Sequence, residues 1–245
     1  MALPILETAT YELTLPSKDV KVKFRPFLVK EEKILLQALE SGSNKEMTSA
    51  LKQIVHACTM GAIDINTLPI FDVEYIFLQI RAKSVGEITK LKLLCPDDKK
   101  TYAEVEIDLS KVEVHVDENH SNNIVVDEKK KIGLIMSYPT INSVDPEENT
   151  KGMKTKQMFD MLANTVYQVY EGDKIHAAGD YTKEEMHKFL ESLDSKAYRK
   201  INEFFDTMPK LKQDIELENP TTKVKSKLTL QGIADFFVLP SLTKV

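Results

Sequence analysis

The spacing of apolar residues changes three times along the chain, and this change constrains the fold more than any other feature. Apolar residues recur at helical spacing between about residues 28 and 83, and at every second position from residue 88 to residue 116. Helical spacing returns between residues 154 and 208, and alternation returns from residue 215 to residue 230. Helical and strand segments separated in this way predict an α+β fold made of segregated helical bundles and antiparallel β-hairpins.

The first part of the chain, residues 1–85, is predicted to be a lobe with one hairpin and three helices. Two alternating runs, Tyr11 to Leu15 and Val20 to Phe24, flank a turn cluster that begins at Pro16. The three helices are predicted to begin near Leu28, after the capping-box match Ser43–Glu46, and at Pro69.

The rest of the chain divides into three further segments. Residues 86–140 are predicted to be β-rich, and residues 141–152 are predicted to be a linker because they contain an acidic, proline-containing run. Residues 153–245 are predicted to be a helical lobe that closes with a β-hairpin and a short C-terminal helix. Its first helix is predicted to run from Lys154 through Tyr170 and to stop at Gly172.

Charge and composition limit the partners that this chain can bind. The formal net charge of -5, from 33 Lys and Arg against 38 Asp and Glu, provides no long-range attraction to nucleic acid or to an anionic membrane. No stretch approaches the roughly 18 apolar residues that cross a bilayer, so we expect a protein made in the cytosol without a membrane partner. Other proteins are therefore the expected partners, and no small-molecule substrate is expected.

No pattern of residues predicts catalysis, a cofactor or a metal. Cys95-Pro96 at the start of a turn is typical of one knuckle of a zinc ribbon, but Asp97, Asp98 and Lys99 occupy the positions where further ligands belong. The five histidines lie in different segments without a metal-binding or nucleophile spacing, and the eight glycines form no phosphate-binding motif. We therefore expect no enzyme. A tail-associated hydrolase of unrecognised type and a metal-binding adaptor remain as alternatives.

Two proline-containing turns, Pro96–Lys100 and Pro220–Lys223, each lie between alternating runs and give a weak internal similarity between two ribbons. The second ribbon continues with Lys225 and Lys227, which puts lysines on one strand face. Such lysines either protect an exposed edge strand from unwanted pairing or meet an acidic partner. We favour the first explanation.

Three stretches, in order along the chain, resemble the baseplate hub proteins of T-even-like phages. They are the signature F-R-P-F-L-V-K-E-E-K-I-L-L at Phe24–Leu36, the run from Phe189 to Leu211, and L-Q-G-I-A-D-F-F at Leu230–Phe237. The resemblance implies a structural or chaperone-like role in assembling the baseplate hub of a contractile tail, through contacts with other hub proteins. It also implies cysteine knuckles in the two ribbons, of which this chain keeps Cys95 alone. We therefore expect degenerate, metal-free zinc-ribbon-like hairpins.

The resemblance also directs attention to two segments as contact surfaces. We predict that partners bind the signature segment and the C-terminal tail, because a signature at an exposed helix start is difficult to explain by packing. The expected location is the host cytoplasm during assembly and the tail baseplate of the virion. The residues predicted to contact a partner are Arg25, Pro26, Phe27, Glu31, Lys33, Phe236 and Phe237.

Overall fold

The predicted α+β fold is confirmed by a computed structural model, which describes residues 8–143 and 155–236. Contacts divide the described residues into two compact units. Unit 1 holds residues 8–65, 71–115 and 210–236, and unit 2 holds residues 66–70, 116–143 and 155–209. The predicted four-segment division of the chain stays a prediction. Of its linker, residues 144–152 lie outside the described part of the chain.

Unit 1 combines helices with three small antiparallel sheets. The strand orders are β1-β2, β3-β4 and β11-β10-β5. Its elements are β1 (Tyr11–Thr14), β2 (Lys21–Phe24), α1 (Val29–Ser41), α2 (Asn44–Cys58), α3 (Ile70–Val85), β3 (Ile88–Leu94), β4 (Tyr102–Asp108), β5 (Glu113–His115), β10 (Lys210–Glu218), β11 (Lys225–Gln231) and α7 (Gly232–Asp235).

The first ribbon, β3–β4, and the second ribbon, β10–β11, each have one apolar face and one charged face. Leu91 and Ile107 of the first ribbon pack in one buried cluster with Leu211 and Leu230 of the second. On the other faces Lys90 pairs with Glu106 at 3.2 Å, and Lys227 pairs with Glu216 at 3.3 Å. Alternation along each strand produces this separation, because successive side chains point to opposite faces.

Three hairpins of unit 1 use the same turn. In each, a residue followed by proline accepts at its carbonyl from the amide four residues later, at distances of 3.0, 3.0 and 2.9 Å. That later residue is Asp19, Lys99 or Lys223, with φ of 52°, 53° and 63°. The similarity that the sequence indicated between the two ribbons is therefore a shared turn geometry, and the N-terminal hairpin has it too.

Unit 2 is a four-stranded antiparallel sheet of order β6-β7-β8-β9 with helices against one face. Ile124, Leu134 and Val169 are aligned across the sheet and meet Leu190 and Phe204 of the helices. Its elements are β6 (Asn123–Asp127), β7 (Ile132–Met136), α4 (Thr155–Thr165), β8 (Val166–Glu171), β9 (Lys174–Ala177), α5 (Lys183–Glu191) and α6 (Ser195–Thr207).

The predicted helix from Lys154 through Tyr170 is wrong beyond Thr165. Residues Val166–Glu171 form β8, which pairs with β7 on one side and with β9 on the other. Valine and tyrosine dominate this segment, and both favour strands. Hydrogen bonding to two neighbouring strands decides the conformation, and Gly172 at φ 59° forms the following turn instead of ending a helix.

Candidate functional site: protein-contact surfaces

The signature segment is held by an ion pair inside unit 1. Arg25 follows β2, and its Nη2 donates to Glu31 Oε1 at 2.9 Å. Glu31 Oε2 accepts from the Leu28 amide at 2.8 Å, which satisfies one of the free donors at the start of α1. The side chains of Arg25 and Glu31 are 15% and 2% exposed. The pair therefore fastens the end of β2 to the first turn of α1.

The titration of the pair reflects both burial and hydrogen bonding. Burial raises the pKa of Glu31, but the hydrogen bonds from Arg25 and from the Leu28 amide outweigh it, so the pKa lies below its usual value. The hydrogen bond to Glu31 raises the pKa of Arg25. Both groups are therefore charged near neutral pH, and each compensates the other.

The other predicted contact residues differ in exposure. Pro26 and Phe27 are half-buried, and the Phe27 amide donates to Ser84 Oγ at 2.9 Å. Lys33 is exposed. Phe236 is fully buried in the core of unit 1, and Phe237 lies outside the described residues. Of the predicted contact residues, the structure brings Arg25 and Glu31 together. A partner-binding role for any of the predicted residues stays a prediction.

The outer face of α1 carries apolar side chains that sequence reasoning missed. Val29 is 79% exposed and Leu36 is 44% exposed, and Lys33 lies between them on the same helix face. Leu36 directly follows Leu35 in the sequence, but only Leu35 of the two is buried. We call Val29, Lys33 and Leu36 the α1 face. Helices that bind a groove on another protein also use apolar side chains one and two turns apart on one face, so this face is a candidate contact surface.

The tips of the two ribbons are joined by side-chain hydrogen bonds. Asn219, which is fully buried, donates from Nδ2 to both carboxylate oxygens of Asp97 at 3.0 and 3.1 Å. Thr222 Oγ1 donates to Asp97 at 2.5 Å. These hydrogen bonds, from Asn219 first, lower the pKa of Asp97. The carboxylate that the sequence places near a metal knuckle thus accepts three hydrogen bonds from protein donors.

The two cysteines are packed as apolar side chains. Cys95 is fully buried against Ala103 and Leu217, and burial raises the pKa of its thiol. Burial likewise raises the pKa of the Cys58 thiol to about 11. Thiols in this state are poor nucleophiles near neutral pH, because the thiolate is the reactive form. Within residues 8–143 and 155–236, His, Cys, Asp and Glu side chains form no group of three that could hold a metal ion.

One half-buried histidine of unit 2, His120, has an aromatic environment. His120 Nδ1 lies 3.0 Å from Thr207 Oγ1, and its Nε2 lies 3.0 Å from the Tyr138 hydroxyl. Its ring also stacks on Tyr138 and contacts Phe204. Burial lowers the pKa of His120, so the ring is neutral at pH 7 and both nitrogens are engaged in hydrogen bonds. The arrangement joins the loop before β6 to α6.

The open side of the unit 2 sheet was also missed by sequence reasoning. β9 lies at the end of the strand order, and Ile175 on it is 64% exposed. The signal was present in the sequence, since Gly172-Asp173 is a two-residue hairpin turn between alternating runs. It was overlooked because the preceding residues also fit a helical period.

Comparison with known proteins gives one match. A family model described as T4 bacteriophage base plate protein matches residues 8–238 of the chain. No curated protein and no solved structure matches. Among the described helices, none is long and apolar enough to cross a membrane.

Proposed function

The chain belongs to the family of T4 bacteriophage base plate proteins, and from this premise we propose that it builds the hub of a contractile tail's base plate through protein–protein contacts. A structural role in the base plate follows from the family itself. The hub, the contractile tail and the contact surfaces are our proposal. The single observation that carries it is the match over residues 8–238, which includes both units.

The α1 face supports the choice of protein partners. It presents Val29 and Leu36 on a helix whose start is fixed by the Arg25–Glu31 pair. A rigid helix with exposed apolar side chains binds a partner with little loss of conformational entropy, which favours association. We propose that the α1 face, together with Lys33 of the predicted set, contacts another hub protein.

The tail after Phe236 is the second proposed contact. Phe236 itself fills the core of unit 1, and the Ile233 amide donates to Glu74 at 3.1 Å, so the turn before the tail is anchored. Phe237 is the remaining residue of the predicted tail contact, and we propose it as the one that reaches a partner.

Capture of other base plate proteins from infected cells tests the α1 face. Val29→Ser and Leu36→Ser should each reduce capture, whereas Val85→Ser, which changes a 57% exposed valine elsewhere in unit 1, should not. Unchanged capture by both α1 variants would remove the α1 face from the proposal. Phe237→Ala tests the tail in the same assay.

Mass spectrometry of mature virions beside assembly intermediates separates the two forms of the role. A hub component is present in both samples, and an assembly chaperone is present in the intermediates alone. Absence of the chain from both would contradict a hub function. We propose that the chain is made in the host cytoplasm and acts there before the tail is complete.

The enzyme and metal-adaptor alternatives have no supporting observation among the described residues. The carboxylate beside the first ribbon's turn accepts from Asn219 and Thr222, and both thiols are buried. Stoichiometric zinc in the purified protein would favour the adaptor over our proposal.

A further inference from the structure

The two edges of the unit 2 sheet differ. At the β6 edge, Lys200 Nζ of α6 donates to the Val125 carbonyl at 2.8 Å, and the pairing with β7 shifts register between Val125 and Asp127. An inserted lysine and a bulge are devices that keep a strand edge from pairing with another chain. At the opposite edge, β9 pairs with β8 and with no further strand in the described part of the chain.

The hairpin register shows which groups β9 presents outward. Glu171 and Lys174 flank the two-residue turn, so they form the hydrogen-bonded pair that closes the hairpin. Alternation then makes Tyr170 and Ile175 a non-hydrogen-bonded pair, which leaves the N–H and C=O of Ile175 directed away from β8. The Ile175 side chain is also 64% exposed.

A pocket of about 250 Å³ lies beside β9 between the sheet and α5. Its floor is apolar and includes Val169, Met186 and Phe189. Its rim includes His176 and two carboxylates, Glu171 and Glu185, and these carboxylates are the charged groups of the lining. Residue His176 follows Ile175 on β9, so a strand added at this edge would direct alternate side chains toward the pocket.

We propose that β9 is a docking edge for an extended segment of another base plate protein, which adds a strand to the sheet and places a lysine or arginine side chain in the pocket. This inference rests on the proposed function and names the chemistry of one partner. Main-chain hydrogen bonds to Ile175 supply affinity, and the pocket supplies specificity, as in other cases of strand addition.

Charge complementarity selects a basic side chain. The long aliphatic stem of lysine or arginine covers an apolar floor while its charged end stays at the rim. Glu185 is committed to α5, since its carboxylate accepts from the Thr182 amide at 2.8 Å and from the Thr182 hydroxyl at 2.9 Å. Glu171 is exposed, and its side-chain carboxylate forms no hydrogen bond or ion pair with any described residue. It is therefore the carboxylate that receives the partner's cation.

The remaining polar groups of the rim agree with this assignment. His176 Nδ1 lies 2.5 Å from the Tyr181 hydroxyl, so the two side chains hold each other in place at the rim. Lys174 is the register partner of Glu171, but it does not line the pocket. Tyr181 is 42% exposed, and an aromatic ring attracts a guanidinium.

The test uses the full chain and synthetic overlapping peptides that cover the other base plate proteins of the same phage. At least one peptide containing lysine or arginine should bind. Its Kd should rise about tenfold with Glu171→Gln, which removes one charged hydrogen-bond acceptor. Ile175→Pro, which removes the outward N–H, should weaken binding further, while Ile175→Thr keeps that N–H and serves as its control. Lys174→Gln is the control for Glu171→Gln.

Several outcomes would overturn the proposal. These are the absence of any bound peptide, binding that is unchanged in both Glu171→Gln and Ile175→Pro, and binding that survives when the peptide's basic residue is replaced by methionine. A dimer of the chain that Ile175→Pro dissolves would assign the edge to a second copy instead. If Ile175→Pro fails to fold, Glu171→Gln decides alone.

Capture of whole base plate proteins separates this inference from the proposed function. If the wild-type chain captures them while no peptide binds at the β9 edge, the docking edge is wrong and the hub function stands. If the wild-type chain captures none, the hub function itself fails.

Discussion

The start of α1 in unit 1 and the β9 edge in unit 2 satisfy their polar groups in opposite ways. At α1, the Arg25 guanidinium, the Glu31 carboxylate and the Leu28 amide satisfy one another within unit 1. At β9, the outward N–H and C=O of Ile175 find no strand among the described residues. A conspicuous sequence motif can therefore serve internal packing, while an inconspicuous four-residue strand presents open hydrogen-bonding groups.

The stability of unit 1 should depend most on Phe236, which belongs to the same unit as the start of α1. The side chain is fully buried with Leu211 and Leu230. Phe236→Ala should lower the free energy of unfolding by about 4 kcal/mol, because it removes an aromatic ring and leaves a cavity. Urea unfolding followed by circular dichroism measures this. A loss below about 1 kcal/mol would show that the ring is not packed as described.

Breaking the Arg25–Glu31 pair should have the next largest effect. Arg25→Ala removes the nearer cation of the Glu31 carboxylate, which is 2% exposed, and leaves the exposed Lys30 at 3.5 Å from it; the change should cost about 3 kcal/mol of unfolding free energy. Replacing both partners, as Arg25→Met with Glu31→Leu, should restore part of the loss, since no buried charge remains. The exposed Lys33→Ala is the control. If Arg25→Ala leaves stability unchanged, the pair is not an internal fastener.

Substitution at the ribbon tips should lower the free energy of unfolding by a smaller amount. Asn219→Ala removes the side chain that accepts from the Thr221 and Thr222 amides and donates to Asp97. We expect a loss of about 1–2 kcal/mol, because the hydrogen bonds of a fully buried side chain are removed. Thr221→Ala changes an exposed neighbour in the same turn and should have little effect. Equal losses in both variants would contradict a specific role for Asn219.

Acid should weaken unit 2 through His120. Because burial lowers the pKa of His120 in the folded protein, the unfolded chain takes up the proton first. The stability that depends on the neutral ring is complete above the unfolded pKa of about 6.5, and it is lost as pH falls from there toward the folded pKa. Urea unfolding between pH 7.5 and pH 5 should show a steeper fall in the wild type than in His120→Gln. Parallel profiles would exclude this role.

The open edge should be the least sensitive to substitution. Ile175→Thr keeps the backbone donor and changes a side chain that is 64% exposed, so stability should change by less than about 0.5 kcal/mol. Thermal unfolding checks this. A large loss would mean that the Ile175 side chain packs within the unit, and it would weaken the contrast with α1.

Local patterns predicted many elements correctly. The hydroxyl of Ser43 accepts from the Glu46 amide at 3.3 Å, as the capping-box match at that position predicts. The N-terminal hairpin and the two ribbons also form where alternation and proline turns indicated them. The lysines of β11 lie on an edge strand, as favoured, and Lys227 also pairs with Glu216 across the ribbon.

The contact residues were harder to predict. Leu36 is apolar but exposed, and Glu31 is charged but buried. Both results depend on which face of α1 meets the rest of unit 1. The helix predicted after Thr165 was wrong for a related reason. Over six residues, the apolar spacing of this segment fits both a helix and a strand. Pairing with β7, which is distant along the chain, decided between them.

The sequence by itself determined the α+β class, the family and the positions of turns and caps, because these depend on neighbouring residues and on periods that repeat over a few positions. Tertiary structure decided that Arg25 and Glu31 pair, that Phe236 lies in the core, and that β9 is left with an open edge. Burial and strand order depend on residues far apart in the chain. Neither is therefore fixed for any side chain until the unit that contains it has folded.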